Sequence, residues 1–127
     1  MEHVWKNEPD EEIFESHGFK CRIKRVPGMG HLCGYVGVPE SHPWFNKNYY
    51  DVDGIDAHGG LTYSEHGHGD LFGLWVFGFD CAHSGDLIPD SVVRYGICGQ
   101  HDTYRDFEYV KRETESLARQ LAAVTGA

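Results

Sequence analysis

The chain has no apolar run long enough to cross a bilayer, and its 11 lysines and arginines are outnumbered by 20 aspartates and glutamates. The first absence argues against a membrane span. The second leaves a formal charge of −9, which argues against nucleic acid as the main partner, because phosphate recognition needs a cationic surface. Four cysteines (Cys21, Cys33, Cys81, Cys98) show no CxxC spacing, so neither a standard zinc knuckle nor a redox pair is visible. Also missing are a Walker loop, GxGxxG, GxSxG and HExxH, as are internal repeats and low-complexity tracts. The N-terminal stretch MEHVWKNEPDEEIFES is acidic and lacks a signal-peptide h-region, so a cytoplasmic setting with reduced thiols is the expectation.

What is present suffices for one domain spanning residues 1–127. At 40% hydrophobic and 13% aromatic content, a chain of this length can bury a sizeable core without disulfide or metal staples. Residues 1–18 read as an N-terminal arm with one short helix. Asn7 is a capping type, Pro9 suits a first turn, Asp10, Glu11 and Glu12 suit the helix dipole, and Gly18 ends it. Residues 19–101 read as sheet and loops. Phe19–Val26 alternates apolar with cationic residues, Pro27–Gly30 is a turn, and His31–Val38 returns. Centring the turn between Gly28 and Met29 sets Cys21 opposite Val36 and Cys33 opposite Lys24, on opposite faces, so these two thiols cannot bridge. Lys20, Arg22, Lys24 and Arg25 form a basic strip that reads as a solvated strand face.

Residues 39–53 form a long loop rich in Trp44, Phe45, Tyr49 and Tyr50, which either packs over the sheet or walls a site. Two further runs, Gly54–Ser64 and Leu71–Cys81, flank a polar turn at Glu65–Asp70 and predict a second hairpin. The later run is apolar on both parities, which predicts a central strand covered on both faces. Val92, Val93, Tyr95 and Ile97 suggest a short edge strand. Residues 102–126 predict a helix, with Thr103 and Asp106 as a capping box and Phe107, Val110, Thr114, Leu117, Leu121 and Val124 on one stripe. The fold class is therefore α+β: an antiparallel sheet of four to five strands from two hairpins, with a C-terminal amphipathic helix on one face.

Polar, titratable residues cluster where the second hairpin's open ends meet. Asp56 and His58 begin one run, while Asp80, Cys81 and His83 leave the other toward Asp86. Two imidazoles with several carboxylates suit zinc, manganese or iron, zinc or manganese above all, with Asp56, His58, Asp80 and His83 as candidate ligands. The same set, His58, Asp80 and His83 above all, supplies a general base if the site is catalytic, and Cys81 beside His83 is a candidate thiolate. Gly59 and Gly60 form either a strand bulge or a place for a ligand to approach the backbone, roofed by Trp44, Tyr49 or Tyr50. The bland alternative is turn chemistry: aspartates satisfying loop N–H groups and Cys81 filling core space. His66-Gly67-His68, at the hairpin tip, reads as a solvated turn able to scavenge metal from buffers.

The phrases GHLCGYVGVPESHP (30–43), DVDGIDAHGGLTYS (51–64), LWVFGFDCAHSGD (74–86) and YRDFEYVKRETESLARQLA (104–122) together resemble a family of small bacterial and phage proteins with no known activity. The resemblance covers roughly residues 20–122 and implies a shared domain in a cytosolic, often phage-linked setting. Three classes stay open. One is an accessory module binding a small ligand, nucleotide-like for example, or a host protein. Another is a metal-dependent hydrolase using the same His/Asp cluster, and the last is a purely structural or interaction protein. A homodimer is compatible with each.

Overall fold

A computed structural model describes residues 4–83, 85–90, 92 and 102–125. Five strands form one antiparallel sheet: β1 (Glu11–Ser16), β2 (Phe19–Arg25), β3 (Leu32–Val38), β4 (Tyr63–His66) and β5 (Trp75–Asp80). Their spatial order is β1-β2-β3-β5-β4, and one helix, α1 (Phe107–Ala122), packs across one face. No helix among the described residues is long and apolar enough to cross a membrane.

The β2–β3 register follows the predicted turn, with Cys21 opposite Val36 and Lys24 opposite Cys33. Period-two alternation then sends Cys21, Ile23, Leu32, Val36, Val38, Phe77 and Phe79 toward the helix, where each is essentially fully buried. From α1, Val110, Thr114, Leu117, Ala118 and Leu121 meet them, at the three- and four-residue spacing of one helical face. Gly34 lets the helix come close: an added Cβ would strike the Thr114 hydroxyl and the Phe79 ring. The aromatic loop completes the core on this side. Trp44 packs edge-on against Phe77, and Trp75 donates its indole N–H to the Lys47 carbonyl at 2.7 Å.

Several sequence expectations need correction. Residues 11–16 of the N-terminal arm are a strand, not part of a helix; a single 3₁₀ turn lies earlier, at Val4–Asn7. Of the acids that suggest a helix start, Asp10 and Glu11 instead answer the basic strip of β2, ion-paired to Arg25 and Arg22, while Glu12, opposite Ile23, reaches Lys111 of α1. Glu8 does serve a helix N-terminus, but that of α1: its carboxylate accepts the Phe107 N–H at 2.7 Å and the Tyr104 hydroxyl at 2.5 Å. In the second hairpin only Tyr63–His66 and Trp75–Asp80 are strands, so Gly54–Thr62 is loop, and the middle strand of the sheet is β3 rather than β5. β5 is nevertheless flanked on both sides and buried along nearly its whole length, as its apolar run requires. Asp106, not Thr103, caps α1, accepting the Tyr109 N–H at 2.8 Å. Most of the edge strand expected around Val92–Ile97, and the Gly126 stop, lie outside the described residues.

Candidate functional site

The cluster is built from three loop ends held by α1. In the first, Gln120 clamps the backbone of Asp56 from both sides: its amide donates to the Asp56 carbonyl and its oxygen accepts the Asp56 N–H, each at 2.7 Å. Ala57 is pinned in the core, and a turn closed by the Gly60 N–H donating to the Ala57 carbonyl presents His58. Gly59 at φ +68° supplies the left-handed residue this turn needs. The glycine pair is therefore a turn and not a strand bulge.

The second loop end leaves β5. Asp80 accepts the Ala82 N–H at 3.1 Å and the Thr62 hydroxyl at 3.3 Å. His83 follows, and its ring lies against Gly59 so closely that a Cβ there would overlap it. Asp86 closes the turn, exchanging backbone hydrogen bonds with His83 through its side chain (3.0 Å) and its own N–H (2.9 Å). The third loop end is the segment before α1, stitched to Asp86 by a short parallel bridge at Thr103, which delivers Arg105. Tyr109 comes from the first turn of the helix.

Asp86 is the hub. Its side chain is 1% exposed and receives His58 Nε2 at 2.9 Å, Arg105 Nε at 2.9 Å and the His83 N–H. Burial alone would raise its pKa, but the hydrogen bonds from Arg105, His58 and the His83 backbone together lower it, so it is a carboxylate at neutral pH. His58 Nδ1 shares a hydrogen bond with the Tyr109 hydroxyl at 2.9 Å, and the Arg105 guanidinium stands 5.4 Å above the Tyr109 ring. The rings of His58 and His83 meet edge to face at 5.8 Å.

His58, His83 and Asp86 each offer a ligand atom, all within 4.8 Å of one another. His83 Nδ1 is buried without a hydrogen-bond partner, 3.5 Å from an Asp80 oxygen and 3.6 Å from an Asp86 oxygen. Those separations are long for hydrogen bonds. They fit an edge of a coordination polyhedron, since two donors about 2.1 Å from a tetrahedral ion stand about 3.4 Å apart.

Of the residues singled out from sequence, His58, His83 and Asp80 converge and Gly59 supports them. Asp56 does not: its side chain is exposed and its backbone alone is used. Nor do Trp44, Tyr49 and Tyr50 roof the cluster. Trp44 is spent on the core, Tyr49 and Tyr50 line a separate depression with Ile55 and Leu61, and Tyr109 packs on His58 instead. Cys81 is not an activated thiolate, because burial, with Asp86 and Asp80 nearby, pushes its pKa up. His66 is remote, packed on Trp75 at 4.9 Å.

Arg105 and Tyr109 carry no sequence signal, whereas Asp86 is visible as the carboxylate that ends the glycine turn after His83. Arg105 and Tyr109 reach the site only through the docking of α1. His31 likewise carries no sequence signal. It is 5% exposed with an unpartnered Nδ1, and it senses Asp80, Asp86 and His83 electrostatically. No family model matches the chain, and no curated protein or solved structure gives a significant match.

Proposed function

We propose that the protein captures a small ligand through a divalent metal ion, zinc or manganese, held by His58, His83 and Asp86 with Asp80 at the rim. The observation that carries this reading is His83 Nδ1, a buried nitrogen without a hydrogen-bond partner beside two carboxylate oxygens at 3.5 and 3.6 Å. Leaving such an atom unsatisfied costs about 1–3 kcal/mol, and a cation among these groups removes that cost. Two neighbours suit the role. Tyr109 can accept a hydrogen bond from the His58 Nδ1–H, which leaves the Nε2 lone pair for the ion in place of the Nε2 hydrogen bond to Asp86. Arg105 holds one Asp86 oxygen, and the other, which accepts the His83 N–H, keeps a second lone pair to coordinate.

Three protein ligands leave positions free for a ligand or water, the pattern of working rather than purely structural metal centres. His83 and Asp80, at 32% and 34% side-chain exposure, form the open side. In this reading the protein is an accessory factor, phage-linked as the resemblance implies. The same open positions favour a second reading, metal-dependent hydrolysis, because a bound ion makes its water a nucleophile near neutral pH.

Calorimetric titration of tag-free, chelator-stripped protein with Zn²⁺ and Mn²⁺ tests the site. One ion per chain is expected, lost in His58→Ala and in His83→Ala and retained in His68→Ala. Binding that instead disappears with His68→Ala would reduce it to scavenging by the hairpin tip. Incubation of the loaded protein with nucleotides and esters, with and without EDTA, then separates capture from turnover.

A further inference from the structure

The face of the sheet turned away from α1 carries a second feature. One row crosses all five strands in register: Ile13, Arg22, Tyr35, Gly78 and Tyr63. Gly78 sits between the two tyrosines, and the Tyr35 ring lies over it: an added Cβ would stand 2.6 Å from that ring. Tyr63 meets Tyr35 edge to face, with centroids 5.3 Å apart at 75°. The result is an L-shaped aromatic corner over a glycine.

A cavity of about 180 Å³ opens at this corner, with Leu71 and Val76 among its buried lining and Arg22 and Lys24 on its cationic side. The size matters. A cavity of about 150 Å³ accepts a benzene ring, so this one holds a single small aromatic group with little to spare. The charge matters as well, because two cations line one small cavity in a chain whose formal charge is −9. Glu11 stands opposite Lys24 on the neighbouring strand but ion-pairs with Arg22, and no ion pair to Lys24 is found among the described residues, so Lys24 is the less neutralised of the two cations. Burial raises the pKa of both tyrosines, so at neutral pH each phenol stays protonated and uncharged beside an anion.

We infer that this corner binds a small planar aromatic anion, a single ring bearing a phosphate or carboxylate, with the ring against Tyr35 and Tyr63 and the charge on Lys24 and Arg22. The site is distinct from the His/Asp cluster and does not depend on a metal.

Phenyl phosphate is a suitable probe, with cyclohexyl phosphate and inorganic phosphate as controls, followed by NMR on protein with ¹³C-labelled tyrosine rings, with and without EDTA. Phenyl phosphate is expected to shift the Tyr35 and Tyr63 ring signals, saturably and independently of EDTA. Loss of ring stacking in cyclohexyl phosphate and reversal of charge in Lys24→Glu should each weaken binding about tenfold. Lys24 is exposed, so that variant should fold. Absence of saturable shifts at millimolar phenyl phosphate overturns the assignment. So does equal affinity for inorganic phosphate, or affinity unchanged in Lys24→Glu.

Discussion

Gly59 and Gly60 offer a paired test that separates the fold from the site. Both have positive φ, +68° and +83°, so alanine at either place carries the left-handed backbone penalty of about 1–2 kcal/mol. Their surroundings differ. Nothing lies within 4 Å of a Cβ added at Gly60, whereas one added at Gly59 stands only 2.4 Å from the His83 ring. Gly60→Ala therefore measures backbone strain alone. Gly59→Ala must also push His83 away from Asp80 and Asp86, and displacements of this kind at metal sites typically cost about 10- to 100-fold in affinity. Urea denaturation of the metal-free proteins should show both variants weakened by similar amounts, Gly59→Ala somewhat more. Competition with a chromogenic chelator should show wild-type zinc affinity for Gly60→Ala and the large loss for Gly59→Ala alone. A folded Gly59→Ala protein that binds zinc as tightly as Gly60→Ala would refute the placement of His83.

Other expectations follow from the core and the buried thiols. Leu117→Ala removes a fully buried side chain beneath the sheet and should cost about 2–5 kcal/mol in urea denaturation. Gly34→Ala thrusts a methyl against Thr114 and Phe79 and should destabilise by about 1–3 kcal/mol, with amide shifts concentrated in α1 and β5. Cys21 and Cys33, free and buried with thiol pKa values raised to about 12 and about 11, should resist iodoacetamide at pH 8 in the native protein and react once denatured, as should Cys81. His31 should titrate below its usual value of about 6.5, because burial outweighs the pull of Asp80 and Asp86. Its unfolded form then binds the proton more readily, so its contribution to stability is present above that pH and falls on acidification through it. Proton NMR of the ring reads this directly.

The β2–β3 hairpin and α1 were legible because each rests on local information: strict alternation around a Pro-Gly turn, and a 3.6-residue stripe. β1 was not, since Glu11 and Glu12 have the same composition in a helix start as in an edge strand. Only distant partners decide between the two, Arg22 on β2 for Glu11 and Lys111 on α1 for Glu12, and that is a pairing choice. Gly54–Thr62 is a loop rather than a strand, held at Asp56 by Gln120 from α1, a partner 64 residues away that its own residues do not announce. The same distance limited the site. That His58 would approach Asp80 and His83 follows from bringing the ends of one hairpin together, but the hydrogen bonds that orient them come from Asp86, Arg105 and Tyr109. Those three meet only when α1 docks, and no local spacing encodes that.

The most direct measurement is anomalous diffraction from crystals grown with zinc, collected on both sides of its absorption edge. A single ordered peak per chain is expected about 2.0–2.2 Å from His58 Nε2, His83 Nδ1 and an Asp86 oxygen. A peak confined to His66 and His68, or none at this cluster in zinc-saturated crystals, would contradict the metal site.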